Sequence, residues 1–512
     1  MALTDYLDKG ASLGRDVPCL VTDSVTLTYG DVQDHSWAVA RALARSGVGA
    51  GDKVGILSGN DPVAFATVFG VARRGAVWCP INPRNSAAEN AELLDLFDCA
   101  CLFYARAYAP LVEEMALPAS TALVCFDDLR DWLADPSGSF DDSPPDDTVM
   151  IVGTGGTTGR PKGVQLTDRN IETMTALTLM GYPFESDSAS AGGSASTGGR
   201  PVYLAMAPLT HAAGVLCFPV MSLGGQIVVM PGPDLDEFLS VVPRYRVTHT
   251  FLPPTVIYML LAHEKLAAAD LSSLQCFWYG AAPMSPTRLE QALTAIGPVM
   301  AQLFGQSEAP MMISMLAPRD HFHADGTVAR SRLASAGRPA PLVTVGIMAS
   351  DGRLLETGER GEIVVRSSLV MAGYYKDPAA TAEASAHGWH HTGDIGYLDA
   401  EGYLFIVDRA KDMVITGGFN VYSAEVEQAL MEHPAVRDCG VVGLPDDKWG
   451  ERVTAVVQLR PGASVTADEL RTFVKGRIGG VKAPKQVEFW PDLPRSTVGK
   501  VLKTEIRAQL LG

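Results

Sequence analysis

The run Gly153-Thr154-Gly155-Gly156-Thr157-Thr158-Gly159-Arg160-Pro161-Lys162-Gly163 decides how this chain is read. Four glycines and three threonines fill its first seven positions, a composition that packs into neither helix nor strand. The preceding Thr148-Val149-Met150-Ile151-Val152 has the apolar, β-branched character of a buried strand. The run is therefore a loop at a strand's carboxyl end. Glycines there let main-chain N–H groups turn toward a ligand without Cβ interference, and threonine hydroxyls add donors. Such a loop either cradles phosphates or is a plain Gly/Thr turn. It is not a Walker A loop, because Lys162 is followed by Gly163 and not by Ser or Thr.

At 512 residues the chain can bury several cores. Its 47% hydrophobic and 19% charged content is that of a soluble globular protein. No run of eighteen apolar residues appears, so no membrane span is expected. The start, Met1-Ala2-Leu3-Thr4-Asp5-Tyr6, has no basic stretch followed by an apolar core, so no secretion signal is expected. Eight cysteines lie scattered, several in apolar runs (Cys79, Cys101, Cys125, Cys217), and read as reduced core thiols of a cytoplasmic protein. Cys99 and Cys101, one residue apart, suit neither a redox pair nor a zinc knuckle. A net charge of −17 argues against nucleic acid as a partner. The charge is uneven: from Arg471 on, nine basic residues stand against three acidic ones. That tail is either a solvated helix face or a surface for polyphosphate.

Strand and helix signals alternate over the first 130 residues, which predicts parallel sheets covered by helices. Lys53–Leu57, Ala76–Ile81, Ala100–Tyr104 and Ala122–Phe126 are of strand length. Asp61 caps a helix with Pro62 at its first position, and Ser86 with Glu89 makes a capping box. Asp135–Asp147 reads as a linker, and Ser186–Gly199, built only of Ser, Asp, Ala, Gly and Thr, as a mobile surface insert. The chain's end reads as a separate α+β unit. Its strands are Gly440–Leu444, Val453–Val457 and Val487–Trp490, and its helix Ala467–Ile478 is capped by Thr466. The expected domains are 1–408 and 409–512, divided at the charged break Asp408–Asp412.

Further stretches follow the glycine loop in order. They are Pro208-Leu209-Thr210-His211-Ala212-Ala213-Gly214, Gly280-Ala281-Ala282-Pro283, Phe304-Gly305-Gln306-Ser307-Glu308, His391-Thr392-Gly393-Asp394, Asp408-Arg409-Ala410-Lys411-Asp412 and Pro494-Arg495-Ser496-Thr497-Val498-Gly499-Lys500. Together with the loop, and from Thr28-Tyr29-Gly30 onward, this ordered set resembles the adenylate-forming superfamily, in its acyl-CoA synthetase (fatty/aryl acid–CoA ligase) branch. The resemblance implies an α/β fold: a large N-terminal domain of stacked mixed sheets with helices, plus a small mobile α+β C-terminal domain.

It also implies roles. Thr154, Gly155, Gly156, Thr157, Thr158, Gly159 and Lys162 would bind the ATP phosphates. Ala282, Phe304, Gly305, Gln306 and Ser307 would line the nucleotide, with the Phe304 ring on adenine and the Ser307 hydroxyl at the α-phosphate. Glu308, with Thr158, would hold Mg²⁺, a hard ion that wants carboxylate oxygen. Asp394 and Arg409 would hold the ribose. His211 would gate the acyl pocket formed with Tyr279, Gly280 and Ala281, and Trp278 and Met284 are further pocket candidates. Lys500 would bridge carboxylate and α-phosphate, Lys411 would be the hinge, and Gly417 and Gly418 would line the CoA tunnel. The catalytic set is thus Lys500, His211, Glu308 and Thr158. The chain departs from the family's usual Tyr and Thr at Phe304 and Ser307, and from a common Ser at Gly155.

The implied reaction converts a carboxylic acid, ATP and CoA to acyl-CoA, AMP and pyrophosphate through an acyl-adenylate. No Asp occurs between Pro208 and Leu223 to bind a substrate ammonium, so a simple acid is expected, whether fatty, aryl or polycyclic. The alternatives are a stand-alone adenylation enzyme that loads an acyl carrier protein, a luciferase-like oxygenase and a non-catalytic nucleotide binder. The run Gly417–Glu427 favours CoA by its resemblance to acyl-CoA ligases. Partners are small molecules, without nucleic acid or a membrane span, and a homodimer is left open.

Overall fold

The computed structural model describes residues 2–137, 147–154, 161–184, 199–495 and 501–511. Most of the expected linker 135–147 and of the expected insert 186–199 lies outside the described residues. By its internal contacts the chain falls into two units, Met1–Thr344 with Val365–His390, and Val345–Val364 with His391–Gly512.

The strand expected before the glycine loop runs Thr148–Thr154 inside a seven-stranded sheet of the first unit. From one edge the order is Gly373–Tyr374, Lys162–Thr167, Thr148–Thr154, Val77–Ile81, Lys53–Leu57, Cys99–Tyr104 and Ala122–Cys125. The last five are parallel, and the first two run antiparallel to their neighbours. The chain thus leaves the glycine loop on an antiparallel strand, with Thr154 opposite Lys162. The helices between the parallel strands start where the sequence places them. Asp61 Oδ1 accepts from the N–H groups of Val63 and Ala64 to open Pro62–Arg73. Ser86 and Glu89 cap Ala87–Leu96 reciprocally. Each such cap satisfies donors that the first helical turn leaves unpaired.

A nine-stranded sheet completes the first unit. Its order is Arg338–Pro339, Ala309–Leu316, Met300–Gln306, Cys276–Gly280, His249–Leu252, Val202–Ala205, Gln226–Val229, Pro18–Val21 and Thr26–Thr28. The six strands from Met300–Gln306 to Pro18–Val21 are parallel. Helices Leu3–Ser12, Tyr29–Arg45, Pro62–Arg73 and Cys217–Ser222 pack on one another and link the two sheets. Aromatic rings fill this seam: Tyr6 stacks on Phe218 at 5.3 Å, and Phe69 meets Phe218 edge-on at 6.3 Å. The buried Tyr29 hydroxyl, from the Thr-Tyr-Gly stretch, donates to the Gly225 carbonyl at 2.6 Å.

In the second unit, Thr344–Met348, Gly361–Arg366, His390–Leu398 and Leu404–Arg409 form a four-stranded sheet. A five-stranded sheet follows. Its long hairpin, Val436–Asp446 with Gly450–Leu459, carries Gln486–Phe489 in parallel along its second strand. Strand alternation separates two cores. Val441, Val453, Ala455 and Val457 pack with Leu430, Leu470 and Val474 of the helices Ser423–Met431 and Ala467–Ile478. Val442, Leu444 and Val456 pack with Ile506 of the helix Lys503–Leu511. Thr466 caps Ala467–Ile478 as the sequence predicts. Residues 345–364 and 391–408 group by contacts with the C-terminal part, so the contact-defined units differ from the expected 1–408/409–512 division, which returns below as a proposal. All eight cysteines are buried free thiols.

Candidate active site

In parallel α/β sheets, ligands sit beyond the carboxyl ends of the strands. The first unit brings such ends together from both of its sheets. The seven-stranded sheet supplies Thr154 as the last residue of Thr148–Thr154, Asn60 after Lys53–Leu57 and Asn82 after Val77–Ile81. The nine-stranded sheet supplies 206–211 after Val202–Ala205, Ala281 after Cys276–Gly280, and Ser307-Glu308 after Met300–Gln306.

Three sets of hydrogen bonds join these ends. Asn60 Nδ2 reaches the carbonyls of Met230, Ala207 and Met206 at 2.9, 3.1 and 3.3 Å, while its Oδ1 accepts from Leu209 N–H at 2.9 Å. Asn82 Nδ2 lies 3.3 Å from His211 Nε2. On the far side, the Tyr374 hydroxyl donates to Glu308 Oε1 at 2.8 Å, and Met371 N–H donates to the Glu308 carbonyl at 2.8 Å. The Lys162 ammonium lies 4.7 Å from the centre of the Tyr374 ring. Burial, and then the neighbouring Glu308 carboxylate, push the Tyr374 phenol up, so it stays a donor. Lys162 and Glu308 are thereby grouped through a tyrosine that the sequence reading did not single out.

The small residues of the motifs have steric reasons. A Cβ on Gly280 would stand 2.4 Å from the Leu303 carbonyl oxygen, and one on Gly305 only 2.3 Å from Met311 N. Ala281 holds φ at +63°, a left-handed conformation that costs energy for any residue but glycine and gathers at functional turns. Phe304, Gln306, Ser307 and Glu308 are half-buried around the turn between Met300–Gln306 and Ala309–Leu316. Gln306 Oε1 lies 3.4 Å from His390 Nε2. Ala282 is half-buried next to the exposed Ala281.

The remaining pocket candidates are committed to the interior. Tyr279 is fully buried, with its hydroxyl 3.0 Å from His321 Nε2. Trp278 is fully buried among Tyr182, Phe184, Tyr203 and His249. Met284 lies in the core that holds Tyr279. Gly280 and Ala281 are the members of that stretch at the strand's end.

In the second unit, Asp394 and Arg409 are cross-strand partners, and the buried Asp394 carboxylate takes Arg409 Nε at 3.0 Å. Asp394 follows a braced turn: Glu362 accepts from Gly393 N–H at 3.0 Å and lies 2.8 Å from His391 Nδ1. Lys411 is exposed on the single turn Ala410–Asp412. Gly417 and Gly418, at φ +58° and +81°, form the two-residue turn between Val414–Thr416 and Phe419–Val421, a turn that needs positive φ at both centres. A further cluster escaped the sequence reading. Asp408 accepts from the Ser423 N–H and hydroxyl, and Lys503 donates to Ser423 Oγ at 2.7 Å and pairs with Glu427 at 2.8 Å.

Gly155, Gly156, Thr157, Thr158, Gly159 and Lys500 lie outside the described residues. Among the described residues no group of three or more His, Cys, Asp or Glu could hold a metal, and no helix is long and apolar enough to cross a membrane.

Strand ends of two α/β sheets that carry the chain's ordered motifs, Thr154 at the entrance to the glycine-rich run among them, define the class as an α/β enzyme. The family model of the AMP-binding enzymes matches residues 7–375, and that of the AMP-binding enzyme C-terminal domain matches 425–500. The chain is 36% identical to the medium/long-chain-fatty-acid–CoA ligase FadD8 of Mycobacterium tuberculosis, over 97% of this chain and 88% of that one. It is 35% identical to feruloyl-CoA synthase of an Amycolatopsis species, over 94% and 93%. The solved structure of the amide bond synthetase McbA from Marinactinospora thermotolerans superposes with a TM-score of 0.87 at 30% identity, over 99% of this chain and 100% of that one. The chain belongs to the AMP-binding enzyme family. Within it, the chain falls in the acyl-CoA synthetase branch of the adenylate-forming enzymes, the ATP-dependent, AMP-forming acid–thiol ligases.

Proposed function

We propose that this enzyme makes CoA thioesters of apolar acids whose only charge is the reacting carboxylate. The observation that carries this reading is the stretch after His211. Residues 208–223 contain no charged side chain, and Ala213–Met221 are buried. Nothing in that stretch would offset the cost of burying a substrate ammonium or a second carboxylate. Fatty and aryl acids fit this chemistry, and two of the relatives are named for medium/long-chain fatty acids and for feruloyl-CoA.

A carboxylate oxygen attacks the α-phosphorus of ATP, and the bond to pyrophosphate breaks. The CoA thiolate then attacks the acyl carbon, and AMP leaves. No protein nucleophile is required, so the side chains supply position and charge. Lys162 and the loop threonines Thr154, Thr157 and Thr158 hold phosphates, Phe304 and Ala282 flank the base, and Asp394 with Arg409 holds the ribose. Glu308 suits Mg²⁺, being a hard carboxylate with one oxygen held by Tyr374. With Thr158 it would hold the ion, which when bound would neutralise phosphate charge. Lys500 contributes a cation in the first step only and is withdrawn when the 409–512 segment turns about Lys411, which brings Gly417 and Gly418 to line the CoA path. The buried thiols and the co-substrates suit the cytoplasm.

The test is a pyrophosphate-release screen with fatty, aryl and α-amino acids, with CoA as the only acceptor. Fatty or aryl acids should turn over and give a thioester, and amino acids should not. Turnover of amino acids would overturn the acid class. Pyrophosphate release without thioester until a carrier protein is added would favour carrier loading. Lys500→Ala should remove adenylation yet spare thioester formation from a supplied acyl-adenylate.

A further inference from the structure

Asn82 is fixed from three sides. Its Oδ1 accepts from the main-chain N–H of Arg84 at 3.0 Å. Its own carbonyl accepts from Nδ2 of Asn90 at 3.1 Å. Asn90 is completely buried at the start of the neighbouring helix, and its Oδ1 takes Asn85 Nδ2 at 3.1 Å. A main-chain N–H can only donate, so the Asn82 atom facing Arg84 is the oxygen. The atom facing His211 Nε2, at 3.3 Å, is therefore the amide nitrogen, and that nitrogen can only donate. Nε2 must then offer a lone pair. A neutral imidazole with a lone pair on Nε2 carries its proton on Nδ1.

The same loop is pinned from the next strand. Asn60 takes Leu209 N–H and donates to the carbonyls of Met206 and Ala207, all within five residues of His211. Both asparagines stand at the carboxyl ends of adjacent parallel strands of one sheet, and both act on a loop of the other.

We propose that Asn82 is the positioning residue that holds His211 as its neutral, Nδ1-protonated tautomer and fixes the plane of its ring. Asn60 holds the loop that presents the ring. The proposal rests on the reading of His211 as the acyl-site histidine. On that reading the ring meets the acid as an uncharged N–H donor. An imidazolium would instead form an ion pair with the free carboxylate, and ground-state pairing of that kind slows attack on phosphorus.

The test uses the full chain with ¹⁵N-labelled histidine. The His211 ring signals are assigned by their loss in His211→Gln, and ring ¹⁵N shifts are read near neutral pH. Wild type should show a protonated Nδ1 and an unprotonated Nε2. In Asn82→Asp, which keeps the oxygen that Arg84 needs but places an acceptor against the ring, Nε2 should become protonated. In Asn82→Ala the ring should move toward the Nε2-protonated form that free imidazole side chains favour. Pyrophosphate release should fall about tenfold in both variants, with the Michaelis constant for ATP unchanged, as expected for loss of one oriented hydrogen bond. An Nε2-protonated His211 in wild type, or a tautomer indifferent to both substitutions, would overturn the proposal. A tautomer that shifts while both half-reactions keep wild-type rates would uphold the positioning role and remove His211 from the acyl site.

Discussion

Tyr374 shows how one side chain can tie a site together. Its hydroxyl serves Glu308 and its ring lies under Lys162, two residues 146 positions apart in the chain. Tyr374→Phe removes the donor and leaves a half-buried carboxylate with one bond fewer. Loss of a hydrogen bond to a charged group costs about 1.5–3 kcal/mol. We expect the Michaelis constant for ATP to rise by about tenfold in pyrophosphate-release assays, with the acid's constant little changed. Unchanged ATP dependence would mean that Glu308 needs no help from Tyr374. Asp394 and Arg409 illustrate the opposite case. The sequence motifs name both, and the fold does set them side by side.

Among the elements, the hairpin Met300–Gln306/Ala309–Leu316 depends on a single missing atom. Its register shifts between Phe304 and Gln306, and at that bulge a Cβ on Gly305 would sit 2.3 Å from Met311 N and 2.7 Å from the Ala309 carbonyl. Both contacts are backbone, so no side chain can move aside. Gly305→Ala should therefore displace Phe304 and Glu308 together. Overpacking of this kind costs roughly 1–3 kcal/mol, so the variant should fold with a lowered melting temperature and lose most adenylation. Normal pyrophosphate release by the Gly305→Ala enzyme would show that the turn is more pliant than its contacts imply.

For the molecule as a whole, the fully buried His249 and His321 and the half-buried His35 set an acid limit. Burial pushes His35, His249 and His321 down to about 4. Unfolded, each would titrate near 6.5, so between pH 6.5 and 4 the unfolded chain binds more protons than the folded one. Stability is thus complete above about pH 6.5 and falls as pH drops, by roughly 2 kcal/mol per histidine toward pH 4.5. Melting temperatures measured from pH 7.5 to 5 should decline, and His249→Gln should flatten the curve; a flat wild-type profile would refute this assignment. The proposed turning of the 409–512 segment about Lys411 is probed by Lys411→Pro, because proline locks φ at about −65° at the residue proposed to absorb the rotation. Single-turnover pyrophosphate release should persist while thioester formation collapses. Thioester at the wild-type rate would move the hinge elsewhere.

What the sequence determined by itself was local. The strand before the glycine loop, the caps at Asp61, Ser86 and Thr466, and the small residues of the motifs follow from a short continuous apolar run, side chains within three positions of a helix start, and the need for missing Cβ atoms. The ordered motifs carried the family for the same reason, since each is a short contiguous run. Only the tertiary structure joined Asn82 to His211 across 129 positions, Asn60 to Met206 across 146, and Tyr374 to Glu308 across 66. Those bonds link strand ends of two different sheets. A lone asparagine or tyrosine after an apolar strand carries no local mark of the partner that folding will bring within 3 Å or so of it.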